Sequence, residues 1–201
     1  ARSAREYDGV LIDFEGLGLD SFSAASVQTS FNKFLTTLKE NLEGKALSVA
    51  VPPLNSSFLG YDHKFIGELS DFVVLMAYAY EDPAYPTPTA PFDRIDEAVR
   101  LETSLVSPKK IMLGIPAYGT IYRIDGDVVA VQARPAAKDS HTIVPFNDST
   151  VHIHKHIFIP EQLCTNAEWE TQDGTAYVAF MEDSASLQAR LLMTKRYGIK
   201  G

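Results

Sequence analysis

Tyr7-Asp8-Gly9-Val10-Leu11-Ile12-Asp13-Phe14-Glu15 is the stretch that decides how the rest of this chain is read. In an extended strand successive side chains point to opposite faces, so Val10, Ile12 and Phe14 share one face and Leu11, Asp13 and Glu15 share the other. Two carboxylates therefore project the same way from the C-terminal end of an apolar run. The neighbours are too apolar for an edge strand, and in a strand covered on both faces ionising such a pair is costly unless the site pairs or uses the acids. Gly16 and Gly18 follow at once and open the strand into a loop that a ligand can approach.

Working outward, Val27, Phe31, Phe34, Leu35, Leu38 and Leu42 recur at helical spacing, with Gly44 as a stop. Ala46 to Val51 is a short β-rich run ended by Pro52-Pro53, and residues 61–69 suit a short helix. Asp71 to Tyr78 is nearly continuously apolar, the pattern of a parallel strand covered on both faces. A stiff, aromatic loop from Tyr80 to Pro91 leads to an amphipathic helix over Phe92–Val106, stopped by Pro108, and then to a further strand-like segment, Lys110 to Gly119. Strand and helix thus alternate from residue 7 to 119. That order predicts parallel βαβ units with ligands at the C-terminal strand ends.

The pattern changes beyond residue 119. Ile121 to Val131 alternates about Asp125-Gly126-Asp127, a hairpin signal, and Ala176 to Met181 follows Asp173-Gly174 in the same way. Residues 120–182 are therefore expected to be a mostly antiparallel excursion, in which Trp169 packs a hairpin. His152, His154 and His156 alternate on one stretch; a solvated polar face explains them more simply than a metal site, because no carboxylate or Cys stands at ligand spacing. Asp183-Ser184 reads as the N-cap of a last helix that ends at Gly198.

Composition bounds the function. The chain has 201 residues, 45% hydrophobic and 22% charged, with a formal net charge of −8. Such a balance argues against a phosphate-binding surface, and no nucleic-acid partner is expected. The single Cys164 excludes an intrachain disulfide framework and a Cys-based zinc site. No apolar run is long enough for a membrane span, and no cofactor is expected.

The opening stretch resembles the signature of glycoside hydrolase family 18, the chitinases and their relatives, in which Asp-Gly-x-Asp-x-Asp-x-Glu ends the fourth strand of a (β/α)8 barrel. Asp8, Gly9, Asp13 and Glu15 match, and Leu11 stands where the middle Asp is usual. Met76-x-Tyr78 resembles the family's Met-x-Tyr-Asp, with Ala79 in place of the Asp and Glu81 and Asp82 close by. Gly114-x-Pro116-x-Tyr118-Gly119 resembles the seventh strand. The resemblance implies an α/β fold, part of a (β/α)8 TIM barrel covering about strands 4 to 7. In that reading residues 1–119 are partial barrel, 120–182 a small antiparallel α+β insertion, and 183–201 the last barrel helix. A complete barrel needs about 250 residues, so the chain is expected to be a fragment, starting before the fourth strand and stopping where the eighth begins.

The same resemblance assigns roles. Glu15 would be the acid, Asp13 would orient the substrate's acetamido group, and Tyr78 would hydrogen-bond its oxygen, with Met76, Tyr118 and Glu81 binding substrate. With Leu11 present, Asp13 lacks the carboxylate neighbour that its family counterpart hydrogen-bonds. Relatives that cleave spore cortex or peptidoglycan also depart at this middle position, which favours a bacterial wall glycan over chitin. The expected function is therefore a substrate-assisted, retaining glycosidase acting on N-acetylglucosamine-containing oligosaccharides or polysaccharides. By resemblance it would be secreted or associated with the cell envelope or spore, with appended wall-binding modules outside this span. The alternative is a catalytically silent chitinase-like lectin; such members usually lose the acid that Glu15 retains.

Overall fold

In the computed structural model, residues 7–55, 57–80, 85–125, 128–132 and 152–201 are described, with side chains for all of these except 125, 128–132 and 152–156. The chain divides into two compact units: Ala1–Ala77 with Asp96–Gly114 and Met193–Gly201, and Tyr78–Ile95 with Ile115–Leu192.

The first unit is built on a parallel sheet in the order β1 (Gly9–Ile12), β2 (Ala46–Val51), β3 (Phe72–Leu75), β4 (Ile111–Leu113). Helices α1 (Ala24–Glu40), α2 (His63–Leu69) and α3 (Phe92–Leu105) stand between successive strands in the chain. The register aligns Val10 with Leu47, Val49 with Val73 and Leu75 with Leu113, so one face carries Val10, Ile12, Leu47, Val49, Val51, Val73, Leu75, Ile111 and Leu113. All of these but Val10 are buried. β1 can lie this close to β2 only because residue 9 is glycine; a Cβ there would stand 2.6 Å from the Ala46 carbonyl oxygen.

Local signals set the helix ends. The Asp62 side chain caps α2 by accepting from the Phe65 amide at 3.0 Å. Asp183 caps α4 (Ser184–Tyr197) by accepting from the Ala185 and Ser186 amides, both at 2.9 Å, while its own amide donates to Ser186 Oγ at 2.6 Å. Gly198 leaves α4 at φ +64°, a left-handed exit that glycine makes without strain. The last residues then run beside β4: the Lys200 amide donates to the Ile111 carbonyl and the Leu113 amide to the Gly201 carbonyl, both at 2.8 Å.

Three expectations are corrected here. The first strand stops at Ile12 instead of running to Glu15; the Phe14 carbonyl accepts from the Tyr61 hydroxyl in place of a strand neighbour. Among the described residues β1 is an edge, and its second face is open, with Leu11 51% exposed. Asp13 and Glu15 are likewise exposed in this chain. The strands at 71–78 and 110–119 also shorten, to β3 and β4. Only one face of β3 is fully buried: Val73 and Leu75 are enclosed while Phe72 and Val74 are half-buried.

The second unit holds an antiparallel sheet in the order β6 (Val128–Gln132), β5 (Thr120–Asp125), β9 (Ala176–Met181), β8 (Cys164–Glu170), β7 (His152–Ile159). Both faces bury apolar groups. Ile121, Ala167, Trp169 and Ala179 pack on one side with Tyr177, and Tyr122, Cys164 and Phe180 on the other. Trp169 is a hairpin packing residue, stacked on its cross-strand partner Tyr177 at 5.3 Å between ring centres. The pairing of β7 with β8 slips between Ile153 and Lys155, so the three-histidine alternation is broken at the backbone. The side chains of His152, His154 and His156 lie outside those described.

Arg190 of α4 is the polar centre of this unit. Its guanidinium is fully buried and donates to four oxygens: Leu163 O at 3.0 Å, Ser186 O at 3.2 Å, Ala90 O at 2.8 Å and Glu182 Oε1 at 2.5 Å. One side chain thus ties the 85–95 segment, the β7–β8 turn, the end of β9 and α4 together.

Candidate active site

Asp13 and Glu15 occupy the loop that leaves the C-terminal end of β1, the end of a parallel sheet where chain reversals present side chains to ligands. Between them Phe14 points to the opposite side. Its ring lies 5.4 Å from that of Phe34 and 6.1 Å from that of Phe31 on α1, so the alternation read from the sequence persists past the end of the strand. Packing Phe14 on α1 leaves both carboxylates at the surface.

The backbone here is held by the 58–61 segment. The Tyr61 hydroxyl donates to the Phe14 carbonyl at 2.6 Å, and the Gly60 amide donates to the Leu17 carbonyl at 3.2 Å. Two glycines make this approach possible: a Cβ on Gly18 would fall 2.2 Å from the Gly60 nitrogen, and a Cβ on Gly60 would fall 2.7 Å from the Leu17 carbonyl carbon. Gly18 also adopts φ +71°, which a residue with a side chain adopts only with strain. The sequence signal at Gly16 and Gly18 was a loop; the reason for the second glycine is this backbone contact.

Tyr61 was not singled out by sequence. It is 5% exposed, with its ring edge-on to Phe31 at 5.8 Å and 6.4 Å from the His63 ring. Burial pushes its hydroxyl above the usual phenol range; a backbone hydrogen bond at Leu17 opposes this, and the carboxylates of Glu15 and Asp13 push it further up. It therefore stays protonated and donating. Behind it, buried His63 Nδ1 lies 2.7 Å from Glu102 Oε2 of α3, which fixes the start of α2. A tyrosine next to an N-cap Asp carries no sign of this role, because the contact spans 47 residues of sequence.

The remaining expected site residues fall as follows. Met76, half-buried, immediately follows β3, and its amide donates to the Val51 carbonyl at 2.9 Å. In the second unit Tyr78 and Tyr118 meet edge to face, 6.5 Å between ring centres. Glu81 lies outside the described residues, as does Asp82. Ala79, at the position of the family's Asp, has φ +63°, a left-handed conformation that costs an Ala about 1 kcal/mol more than a Gly. Among the described residues no group of three or more His, Cys, Asp or Glu side chains could hold a metal ion.

Chemically, this loop end offers two solvent-accessible acids on a backbone held by hydrogen bonds from Gly60 and Tyr61. Such a pair can deliver a proton and orient a polar group on an approaching ligand.

Known proteins resemble the chain over most of its length. The cortical fragment-lytic enzyme of Bacillus anthracis is 26% identical over 202 aligned residues, covering 94% of this chain and 44% of that protein. The spore cortex-lytic enzyme SleL of Bacillus cereus superposes with a TM-score of 0.76 at 24% identity, over 100% of this chain and 46% of that one. A chitinase from Chromobacterium violaceum superposes with a TM-score of 0.79 at 21% identity, over 99% of this chain and 61% of that one. At such identities the superpositions show the α/β fold. The chain spans less than half the length of the curated relatives it matches. The family model described as Glycosyl hydrolases family 18 matches residues 2–201, and this chain belongs to that family.

Proposed function

We propose that the chain carries the acid end of a glycosidase that cleaves β-linked N-acetylglucosamine glycans of the bacterial wall by substrate assistance. The observation that carries this reading is the exposed Asp13/Glu15 pair at the C-terminal end of β1, with the backbone carbonyl between them fixed by Tyr61. Glu15 protonates the departing glycosidic oxygen while the substrate's own acetamido oxygen attacks the anomeric carbon, giving a bicyclic oxazolinium-type intermediate. Glu15 then takes a proton from the water that opens it. Asp13 orients the acetamido group and stabilises positive charge on its nitrogen. Tyr78 holds the acetamido oxygen in attack geometry, with Met76, Tyr118 and Glu81 completing the sugar contacts.

Residues 1–119 and 183–201 are taken as parts of one barrel, strands 4 to 7 and the last helix, with 120–182 inserted. The bonds from β4 to Lys200 and Gly201 support a following parallel strand at that edge. The names of the cortex-lytic relatives, and Leu11 at the middle acid position, favour peptidoglycan of spore or cell wall over chitin. Among the described residues no helix is long and apolar enough to cross a membrane.

Glu15→Gln tests the reading. It keeps shape and removes the proton, so turnover of N-acetylglucosamine oligomers or peptidoglycan should fall by at least about a thousandfold while ligand affinity holds. Near-normal turnover would remove Glu15 as the acid. A wild-type protein that binds these glycans without cleaving them belongs with the silent lectins.

A further inference from the structure

We infer that Tyr61 is a positioning residue for Glu15, a role that rests on the assignment of Glu15 as the acid. The hydroxyl of Tyr61 bonds the carbonyl of Phe14, the residue immediately before Glu15, and the neighbouring Gly60 amide bonds the carbonyl of Leu17, two residues after it. The acid is thus bracketed in the chain by two hydrogen bonds from one adjacent pair, Gly60-Tyr61. Its own side chain is exposed, so the backbone at 14–17 largely sets its direction. Phe14 fixes the side of that backbone facing α1, and Tyr61 fixes its carbonyl.

The tyrosine is itself rigidly supplied. Its ring is enclosed beside Phe31 and His63, and His63 is pinned by buried Glu102. Glu15 and Asp13 both act on the Tyr61 hydroxyl, which places all three groups within electrostatic reach of one another. Removing the hydroxyl leaves the Phe14 carbonyl without its donor and lets the 14–17 turn relax. Glu15 then spends less time aimed at a leaving oxygen, and catalysis depends steeply on such alignment.

The prediction separates proton delivery from everything else the site does. A natural sugar leaving group needs a proton; an aryl N-acetylglucosaminide with an acidic phenol does not. In the full-length protein, Tyr61→Phe should therefore cut kcat on N-acetylglucosamine oligomers by roughly 10- to 100-fold with KM changed less than about threefold, and cut turnover of the aryl substrate less than about threefold. The ratio of the two rates, taken on one sample, is independent of how much of the variant is folded. Tyr197→Phe, which deletes a hydroxyl bonded to Asp96 at 2.9 Å instead, should leave the ratio unchanged. Glu15→Gln is run alongside and should move the ratio further in the same direction. Equal losses on both substrates, or no loss, in Tyr61→Phe beside a dead Glu15→Gln would overturn the positioning role alone. An active Glu15→Gln would overturn the assignment of the acid and the positioning role with it.

Discussion

The two units solve the problem of burial in opposite ways. In the first, short parallel strands present one aliphatic face, in which Leu47, Val49, Val51, Val73 and Ile111 are fully enclosed, while its buried His63–Glu102 pair joins two helices. In the second, a longer antiparallel sheet uses aromatic pairs and a fully buried guanidinium with four oxygen acceptors. Aliphatic contacts are individually weak and non-directional, so the first kind of core loses stability in proportion to the volume removed. A buried cation is tolerated only when its acceptors are in place, so the second kind fails abruptly when one partner goes. The difference teaches where each unit can change. The parallel sheet can be repacked gradually beneath the Asp13/Glu15 loop, whereas the antiparallel unit depends on one buried residue.

Arg190→Met is the strongest way to break this comparison. It leaves Glu182 and three carbonyls without their donor, and should cost about 3–5 kcal/mol. Trp169, the single tryptophan, lies buried in the second unit, so its fluorescence during urea unfolding reports the loss directly. Arg190→Met combined with Glu182→Leu should recover much of it, because the uncompensated charge is gone. If the single change costs under about 1 kcal/mol, Arg190 is not the centre of this unit.

Leu47→Ala probes the other core and should cost about 3 kcal/mol, the usual cost of a large buried aliphatic truncated to Ala. Followed by far-ultraviolet circular dichroism beside Trp169 fluorescence, it also asks whether the units are coupled. Midpoints that shift together by both probes in both variants would show one cooperative transition and erase the distinction drawn here.

The smallest effect sharpens the comparison within the second unit. Burial pushes the Cys164 thiol up to about 11; the Glu182 carboxylate adds to this and Arg190 opposes it. The folded state therefore keeps the proton while the unfolded thiol loses it near its ordinary value. Stability from this group is complete below about pH 8.5 and is lost as pH rises through 9 to 11, amounting to about 1 kcal/mol at pH 10. Urea unfolding at pH 7.5 and pH 10 should show that drop in the wild type and a smaller one in Cys164→Ala. The native thiol should also resist alkylation at neutral pH.

Much of the first unit was legible in the chain, and for a physical reason. Hydrophobic periodicity is a local property, and the runs at 27–42, 46–51 and 92–106 carried helix, strand and helix to within a few residues of their observed limits. Asp13 and Glu15 could be placed on one side of the chain because alternation needs only the backbone geometry of an extended segment. The capping Asp183 and the glycine stop at Gly198 are local too.

What tertiary structure decided is everything set by groups far apart in sequence. Apolar neighbours at 9–14 suggested a strand covered on both faces, yet β1 has one described neighbour and its acid face is open, since coverage depends on which other segments arrive. The end of β1 was decided by a competing partner: the Tyr61 hydroxyl takes the Phe14 carbonyl, which would have extended the strand. Arg190 in α4 gave no sequence sign of being buried, because its acceptors come from residues 90, 163, 182 and 186 and exist as a set only in the folded chain. The same holds for the site. Residue types and their alternation named the acids, but which hydroxyl holds the backbone between them is fixed by a contact across 47 residues, which no local pattern encodes.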